Sequence, residues 1–75
     1  MISIKDFLNK IRWDKNLDKD RYTLHYVDRI TNSIKTIKFD DINSIEGDFL
    51  VLDDREIPLH RIRKVTMFNK VVWER

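Results

Sequence analysis

The sequence predicts an α+β fold, with one N-terminal helix packed on a curled, mostly antiparallel sheet of about five strands that has room to close partway into a small barrel. Three observations carry this expectation. Ile4, Phe7, Leu8 and Ile11 recur at helical spacing near the N-terminus. Tyr22 to Arg29 alternates with the two-residue period of a strand. Beyond it, short apolar runs are separated by Asn, Asp and Ser turn signals, in a chain with one Gly and one Pro.

The apolar stripe places the helix over Ser3 to Arg12, with Lys5, Lys10 and Arg12 off the stripe. Ser3 is suited to cap its N-terminus, and Asp6 sets a carboxylate at the positive end of the helix dipole. Asp14 to Asp20 has no periodicity and reads as a loop. In the strand that follows, Tyr22, Leu24 and Tyr26 face one way, toward the core unless that face is open to bases, while Thr23, His25, Val27 and Arg29 face the other. Thr31-Asn32-Ser33 turns the chain into a hairpin with Ile34–Phe39. Asp40 to Glu46 is open between one helical turn and a bend. Gly47-Asp48 leads into Phe49-Leu50-Val51-Leu52, a continuous apolar run of the kind found in a buried strand, and Asp53-Asp54 ends it. Thr66–Phe68 and Val71–Trp73 pair across a turn at Asn69-Lys70.

One segment, EIPLHRIRKV (residues 56–65), does not keep strand phase. Ile57 and Leu59 are odd-numbered, Ile62 is even, and Val65 and Met67 are odd again. A break resolves this. Pro58 has a preset φ and no N–H, which suits the first position of a helical turn and not a central strand. With one tight turn over 58–63, Leu59 and Ile62 point inward while His60, Arg61 and Arg63 project outward. The segment reads as a rigid corner that presents a histidine and arginines. The competing reading is a bend with solvated arginines.

Seventy-five residues make one domain with a single core. The chain has no cysteine, which fits a reducing compartment and excludes disulfides and thiolate metal ligands. MISIKDFLNK lacks the apolar stretch of a signal peptide, and no apolar run reaches membrane-spanning length. A cytoplasmic location, with no membrane partner, is expected. Net charge is +2, but the charges are segregated. Residues 1–38 hold nine Lys/Arg against five Asp (+4), 39–56 one Arg against seven Asp/Glu (−6), and 57–75 five Lys/Arg against one Glu (+4). Such asymmetry points to an anionic partner, unless both signs simply face solvent.

DFLNKIRWD (Asp6–Asp14), YVDR (Tyr26–Arg29), GDFLVL (Gly47–Leu52), IPLHRI (Ile57–Ile62) and VVW (Val71–Trp73) together resemble a small, mostly archaeal family, the RNA cyclic group end recognition domain. The similarity spans nearly the whole chain. It departs where glycine is expected, with Ile30 after Asp28-Arg29 and Asn69-Lys70 in the last turn. The resemblance implies an RNA-binding module for 3′ ends that carry a 2′,3′-cyclic phosphate or related terminal phosphate. It also implies RNA-processing enzymes as associates. Carried over by position, the polar candidates are Arg29, His60 and Arg61, and the aromatic ones Trp13 and Trp73. The chemistry agrees: arginine offers a charged bidentate fork for phosphate oxygens, histidine a directional donor, and tryptophan a stacking face for a terminal base. Each Trp has core packing as its alternative role, Arg29 a salt bridge to Asp28 or a nearby acid, and His60 a turn-capping role.

Two other functions compete. His60 with Asp53, Asp54 or Glu56 would be the acid–base pair of a small phosphoesterase, although no nucleophile signature accompanies it. The acidic 39–56 segment would let a protein-interaction adaptor dock a basic partner. No cofactor is expected. Nor is a metal, because His25 and His60 cannot close a site alone and the aspartates sit at turn positions. No Gly-rich phosphate loop is present.

Overall fold

The computed structural model describes residues 2–16 and 18–75. Leu17, within the expected 14–20 loop, lies outside the described residues. The expected helix forms as α1 (Ile4–Trp13), with Ile4, Leu8 and Ile11 buried. Ser3 caps it: its hydroxyl accepts the Asp6 N–H at 3.1 Å, satisfying one of the donors a helix start leaves free. Lys10 and Arg12 in the last turn complement the opposite end of the dipole.

Among the described residues the chain forms seven strands in two antiparallel sheets, so the α+β class holds. The first sheet contains β1 (Tyr22–Val27), β2 (Ile34–Lys38), β6 (Ile62–Met67) and β7 (Lys70–Glu74), ordered β2-β1-β6-β7. The second, ordered β3-β4-β5, contains β3 (Ser44–Glu46), β4 (Phe49–Val51) and β5 (Glu56–Pro58). The expected partial barrel is not formed: the two sheets do not close on one another. They share one core, in which α1, Leu24, Ile62 and Val65 of the first sheet meet Leu50 and Ile57 of the second. Leu8, Ile11, Leu24, Leu50, Ile62 and Val65 are the most deeply buried side chains. Each contributes about 1.5–3 kcal/mol by leaving water.

Several expected boundaries shift for local reasons. β1 ends at Val27 rather than Arg29, because the Asp28 carboxylate accepts the N–H groups of Ile30 (2.8 Å) and Thr31 (3.4 Å) and starts the turn early. Asn32 completes that turn at φ 57°. The ambiguous 40–46 stretch resolves into both a 3-10 turn, Phe39–Asp41, and strand β3. The last hairpin turns at Phe68-Asn69, one residue earlier than expected, with Met67 paired to Lys70. Both turn residues have positive φ, 51° and 67°, as a two-residue hairpin turn of matching twist requires.

The phase break in 56–68 has two causes. A 3-10 turn at Leu59–Arg61 rotates Leu59 and Ile62 inward, and Pro58 is the residue before it, ending the edge strand β5. A bulge then places Arg63 between Ile62, which pairs with Tyr26, and Lys64, which pairs with His25. That extra residue lets both Ile62 and Val65 face the core.

Candidate functional site

The β1–β2 hairpin and the β5–β6 corner enclose a cleft of about 380 Å³. Four cations line it, Arg29, Lys35, Arg55 and Arg61, against two carboxylates, Asp28 and Glu56. Tyr26 and Thr36 add hydroxyl groups, Ile57 lies at its buried side, and the exposed Ile30 lies at its rim. Three of the cations arrive there through register and turn geometry. Antiparallel register sets Lys35 opposite Tyr26, and β1–β6 pairing sets Ile62 opposite Tyr26 on the other side, which brings the adjoining Arg61 to the same end of the sheet. The Asp28 turn then carries Arg29 past the strand end.

The cations differ in what they already bind. Lys35 is paired with Asp28 at 2.7 Å. Arg55 donates to the Tyr26 hydroxyl at 3.3 Å and lies 3.7 Å from Asp54. Arg29 and Arg61 enter no ion pair among the described residues. The Asp28 carboxylate is already occupied by Lys35 and by the Ile30 and Thr31 N–H groups, so it is not the partner of Arg29. The Lys35 hydrogen bond, followed by that from Ile30, holds the Asp28 pKa below its ordinary value, and the same pair raises that of Lys35. The result is a pocket edge with two free guanidinium groups, each able to present a planar fork to an oxyanion.

A family model described as the MJ1316 RNA cyclic group end recognition domain matches residues 1–75. The chain belongs to that family. It is 34% identical over 80 residues to a UPF0248 protein of Saccharolobus islandicus (strain L.S.2.15 / Lassen #1), covering 99% of this chain and 100% of the relative. A UPF0248 protein of Metallosphaera sedula is 35% identical over 75 residues, covering 99% and 94%. One from Methanopyrus kandleri is 38% identical over 63 residues, covering 83% and 85%. No solved structure matches the chain.

In this RNA cyclic group end recognition domain, the residues singled out in the sequence fall in different places. Arg29 and Arg61 share the cleft. His60 is exposed and lines a separate depression with Lys5, Asp48, Leu59 and Arg75, which holds none of Asp53, Asp54 or Glu56. Arg63 lies on the bulge, beside His25, Ile34, Lys64, Glu74 and Arg75. Trp73 is only 7% exposed, and its Nε1–H donates to the Ile2 carbonyl at 3.0 Å, so this ring belongs to the core and offers no face to a base. Trp13 is 77% exposed at the end of α1, with the Arg12 guanidinium 6.0 Å from its ring centre, and does not line the cleft.

Lys35, Arg55 and Thr36 are cleft residues that the sequence reading did not single out. The hairpin signal at Thr31-Asn32-Ser33 contained the information for Lys35, since a register across that turn sets it against Tyr26. Arg55 had no such signal, because it sits in a turn between two very short strands.

The acidic segment forms a different feature. Asp40, Asp41, Asp53 and Asp54 line a groove of about 690 Å³ with Lys38 and Asn43. The Asn43 amide donates to Asp53 at 2.6 Å. This groove and the basic cleft adjoin, with Thr36 and Arg55 common to both. Among the described residues, no group of three or more His, Cys, Asp and Glu has a metal-holding arrangement. No helix there is long and apolar enough to cross a membrane.

Proposed function

We propose that this domain binds RNA 3′ ends carrying a 2′,3′-cyclic phosphate or related terminal phosphate, and that Arg29 and Arg61 hold the phosphate. The observation that carries this reading is the meeting of these two unpaired guanidinium groups in one cleft, in a chain of the RNA cyclic group end recognition family. A cyclic phosphate is a compact monoanion whose two free oxygens match the fork of arginine. Arg55 and the Tyr26 hydroxyl stand beside them for the ribose or a further phosphate oxygen, and Ile30 gives the terminal base an apolar surface. His60, Arg63 and Trp13, outside the cleft, contribute through longer RNA. RNA is the partner, and binding without turnover is the activity. We assign the domain to the cytoplasm, in keeping with a chain free of cysteine.

The test is a fluorescence-anisotropy titration of one short RNA in cyclic-phosphate, 3′-phosphate and 3′-hydroxyl forms, at low and near-physiological salt. A preference of about tenfold for the cyclic end, about 1.4 kcal/mol, is expected. Equal binding to all three forms would reduce the activity to general RNA affinity. The acidic groove supports a second reading, in which it docks a basic surface of an RNA-processing enzyme. Partners recovered equally before and after nuclease treatment favour that contact, and RNA-dependent recovery removes it.

A further inference from the structure

On the reading that a 3′ end sits in the cleft, we infer that the RNA strand leaves it over the outer face of the four-stranded sheet, where Arg63, Lys64 and Arg75 hold the sugar-phosphate backbone of the preceding nucleotides. The two faces of this sheet differ. Tyr22, Leu24, Tyr26, Ile62 and Val65 point into the core, whereas the alternate residues look outward. Register carries that alternation across the sheet: His25 opposes Thr36 on one side and Lys64 on the other, and Val27 opposes Ile34. Ile34 is 57% exposed, as expected of a face that neither α1 nor the second sheet covers.

This face holds a depression of about 500 Å³ lined by His25, Ile34, Arg63, Lys64, Glu74 and Arg75. Three permanent cations face one carboxylate, and among the described residues that carboxylate pairs with none of them. Arg75 is already partly engaged, since its guanidinium donates to the Leu59 and Ile62 carbonyls at 3.3 and 3.1 Å. Arg63 and Lys64 are therefore the principal free charges. His25 donates to or accepts from Thr66 Oγ1 at 3.0 Å through Nε2, which leaves Nδ1 for a ribose or phosphate contact.

The position of this depression gives it a role in the same binding event. Arg61 belongs to the cleft and Arg63 to the depression, and only Ile62, at the Tyr26 end of β1, separates them. Away from Arg63, the cleft adjoins through Thr36 and Arg55 the groove of Asp40, Asp41, Asp53 and Asp54, which reaches the Thr23 and Lys38 end of the sheet. A polyanion anchored by its end is repelled on that side and attracted on the other, so the charge pattern selects one exit. The outward residues of β1 and β2, Thr23, His25, Val27, Ile34, Thr36 and Lys38, include no Phe, Tyr or Trp. The depression itself has no Phe, Tyr or Trp, so its contacts go chiefly to phosphate and ribose.

The experiment compares a dinucleotide and an octanucleotide, each with a cyclic or a hydroxyl 3′ end, on the wild-type chain, Arg63→Gln with Lys64→Gln, and Arg63→Glu. Circular dichroism checks that the variants fold. The octanucleotide is expected to bind wild type on the order of tenfold tighter than the dinucleotide with the same end. The double variant should lose most of that gain, and its salt dependence should become shallower by about 0.7 in log–log slope per phosphate contact removed. Its preference for the cyclic end should persist, and Arg63→Glu should weaken the octanucleotide further. An unchanged length gain in both variants, with the end preference intact in wild type, overturns the exit path alone. A wild-type chain without end preference overturns the end-recognition reading and the exit path with it.

Discussion

Arg29, just past the end of β1, and Arg61, the last residue of the 3-10 corner, line one cleft, and neither enters an ion pair among the described residues. Two guanidinium groups facing the same space repel each other, and an oxyanion between them relieves that repulsion while accepting from both forks. Arg61→Ala and Arg29→Ala should each weaken binding of cyclic-ended RNA on the order of tenfold more than binding of hydroxyl-ended RNA. Lysine at either position should recover only part of the loss, because it restores charge without the planar fork. Anisotropy titrations of the four variants check this, and equal losses on both RNAs would show that the arginines supply only general attraction.

Arg61 depends on Arg75 for its position. The Arg75 backbone N–H donates to Arg63 O at 2.9 Å, and its guanidinium donates to the Leu59 and Ile62 carbonyls that flank Arg61 on either side. The same side chain lies 5.5 Å from the Trp73 ring centre. Removing it leaves two half-buried carbonyl contacts unmade. Arg75→Ala should lower stability by about 1–3 kcal/mol and raise hydrogen exchange at residues 59–63, read by urea titration and mass spectrometry. Arg75→Lys should retain part of the stability through its charge and one donor.

The two tryptophans should separate in a mutational comparison. Trp73 packs in the core with its indole N–H bonded to Ile2 O, whereas Trp13 is mostly in solvent. Trp73→Ala should cost about 3–5 kcal/mol, a large part of the stability of so small a domain. Trp13→Ala should change it by no more than about 0.5 kcal/mol. In wild type, emission should be a blend of a blue-shifted and a red-shifted component, and Trp13→Phe should remove the red-shifted one.

The elements with long, clean periods were legible in the sequence, and those held only by tertiary pairing were not. The Ile4-Phe7-Leu8-Ile11 stripe and the Tyr22-Leu24-Tyr26 alternation specify α1 and β1 because each buries several residues with one geometry. β3 and β5 are three residues long, and no period can be read from Ser44–Glu46 or Glu56–Pro58. Their partner β4 stood out because it is continuously apolar, but it is not the buried strand expected, since Phe49 is exposed and Val51 half-buried, and its role as the centre of a second sheet was hidden, so a single curled sheet was expected. A corner after Pro58 was readable from the Pro58 and Ile62 phase conflict, but its turn covers only Leu59–Arg61, and Pro58, expected as its first residue, ends the strand before it. The bulge at Arg63, which depends on the register of β1, was not. For the same reason His60 and Arg61, adjacent in sequence, gave no sign that they would line different depressions.

His25 sets a pH dependence. Burial of the ring, and then the Lys64 charge, lower its pKa from the ordinary 6.5. Between the folded value and 6.5 the unfolded chain binds more protons than the folded one. Stability should therefore rise as pH increases through that window and become flat above it, as far as this residue is concerned. His25→Gln keeps a hydrogen-bonding partner for Thr66 and removes the titration. Melting temperatures measured from about pH 5 to about pH 8 should show the wild-type slope reduced in this variant. A steeper slope in the variant would mean that the charged ring is favoured in the folded chain.

Phe68 occupies a position that its backbone disfavours. It sits at φ 51° in the β6–β7 turn and is 68% exposed, with the Arg21 guanidinium 5.2 Å from its ring centre. The left-handed conformation costs a residue with a β-carbon roughly 1–2 kcal/mol. The exposed cation–π contact offsets about 0.5–1 kcal/mol of that, and the limited burial of the ring adds little. Asparagine tolerates positive φ and is favoured in two-residue hairpin turns. Phe68→Asn should therefore stabilise the domain by up to about 1 kcal/mol, raising the melting temperature by a few degrees for a chain of this size. Arg21→Ala also removes the exposed Arg21–Asp18 pair (3.1 Å) in either background, so it should cost about 0.5–1 kcal/mol more in the wild-type chain than once Phe68→Asn is in place, a double-mutant cycle that isolates the ring contact. If Phe68→Asn instead destabilises the domain, the ring contributes more than its turn strain removes.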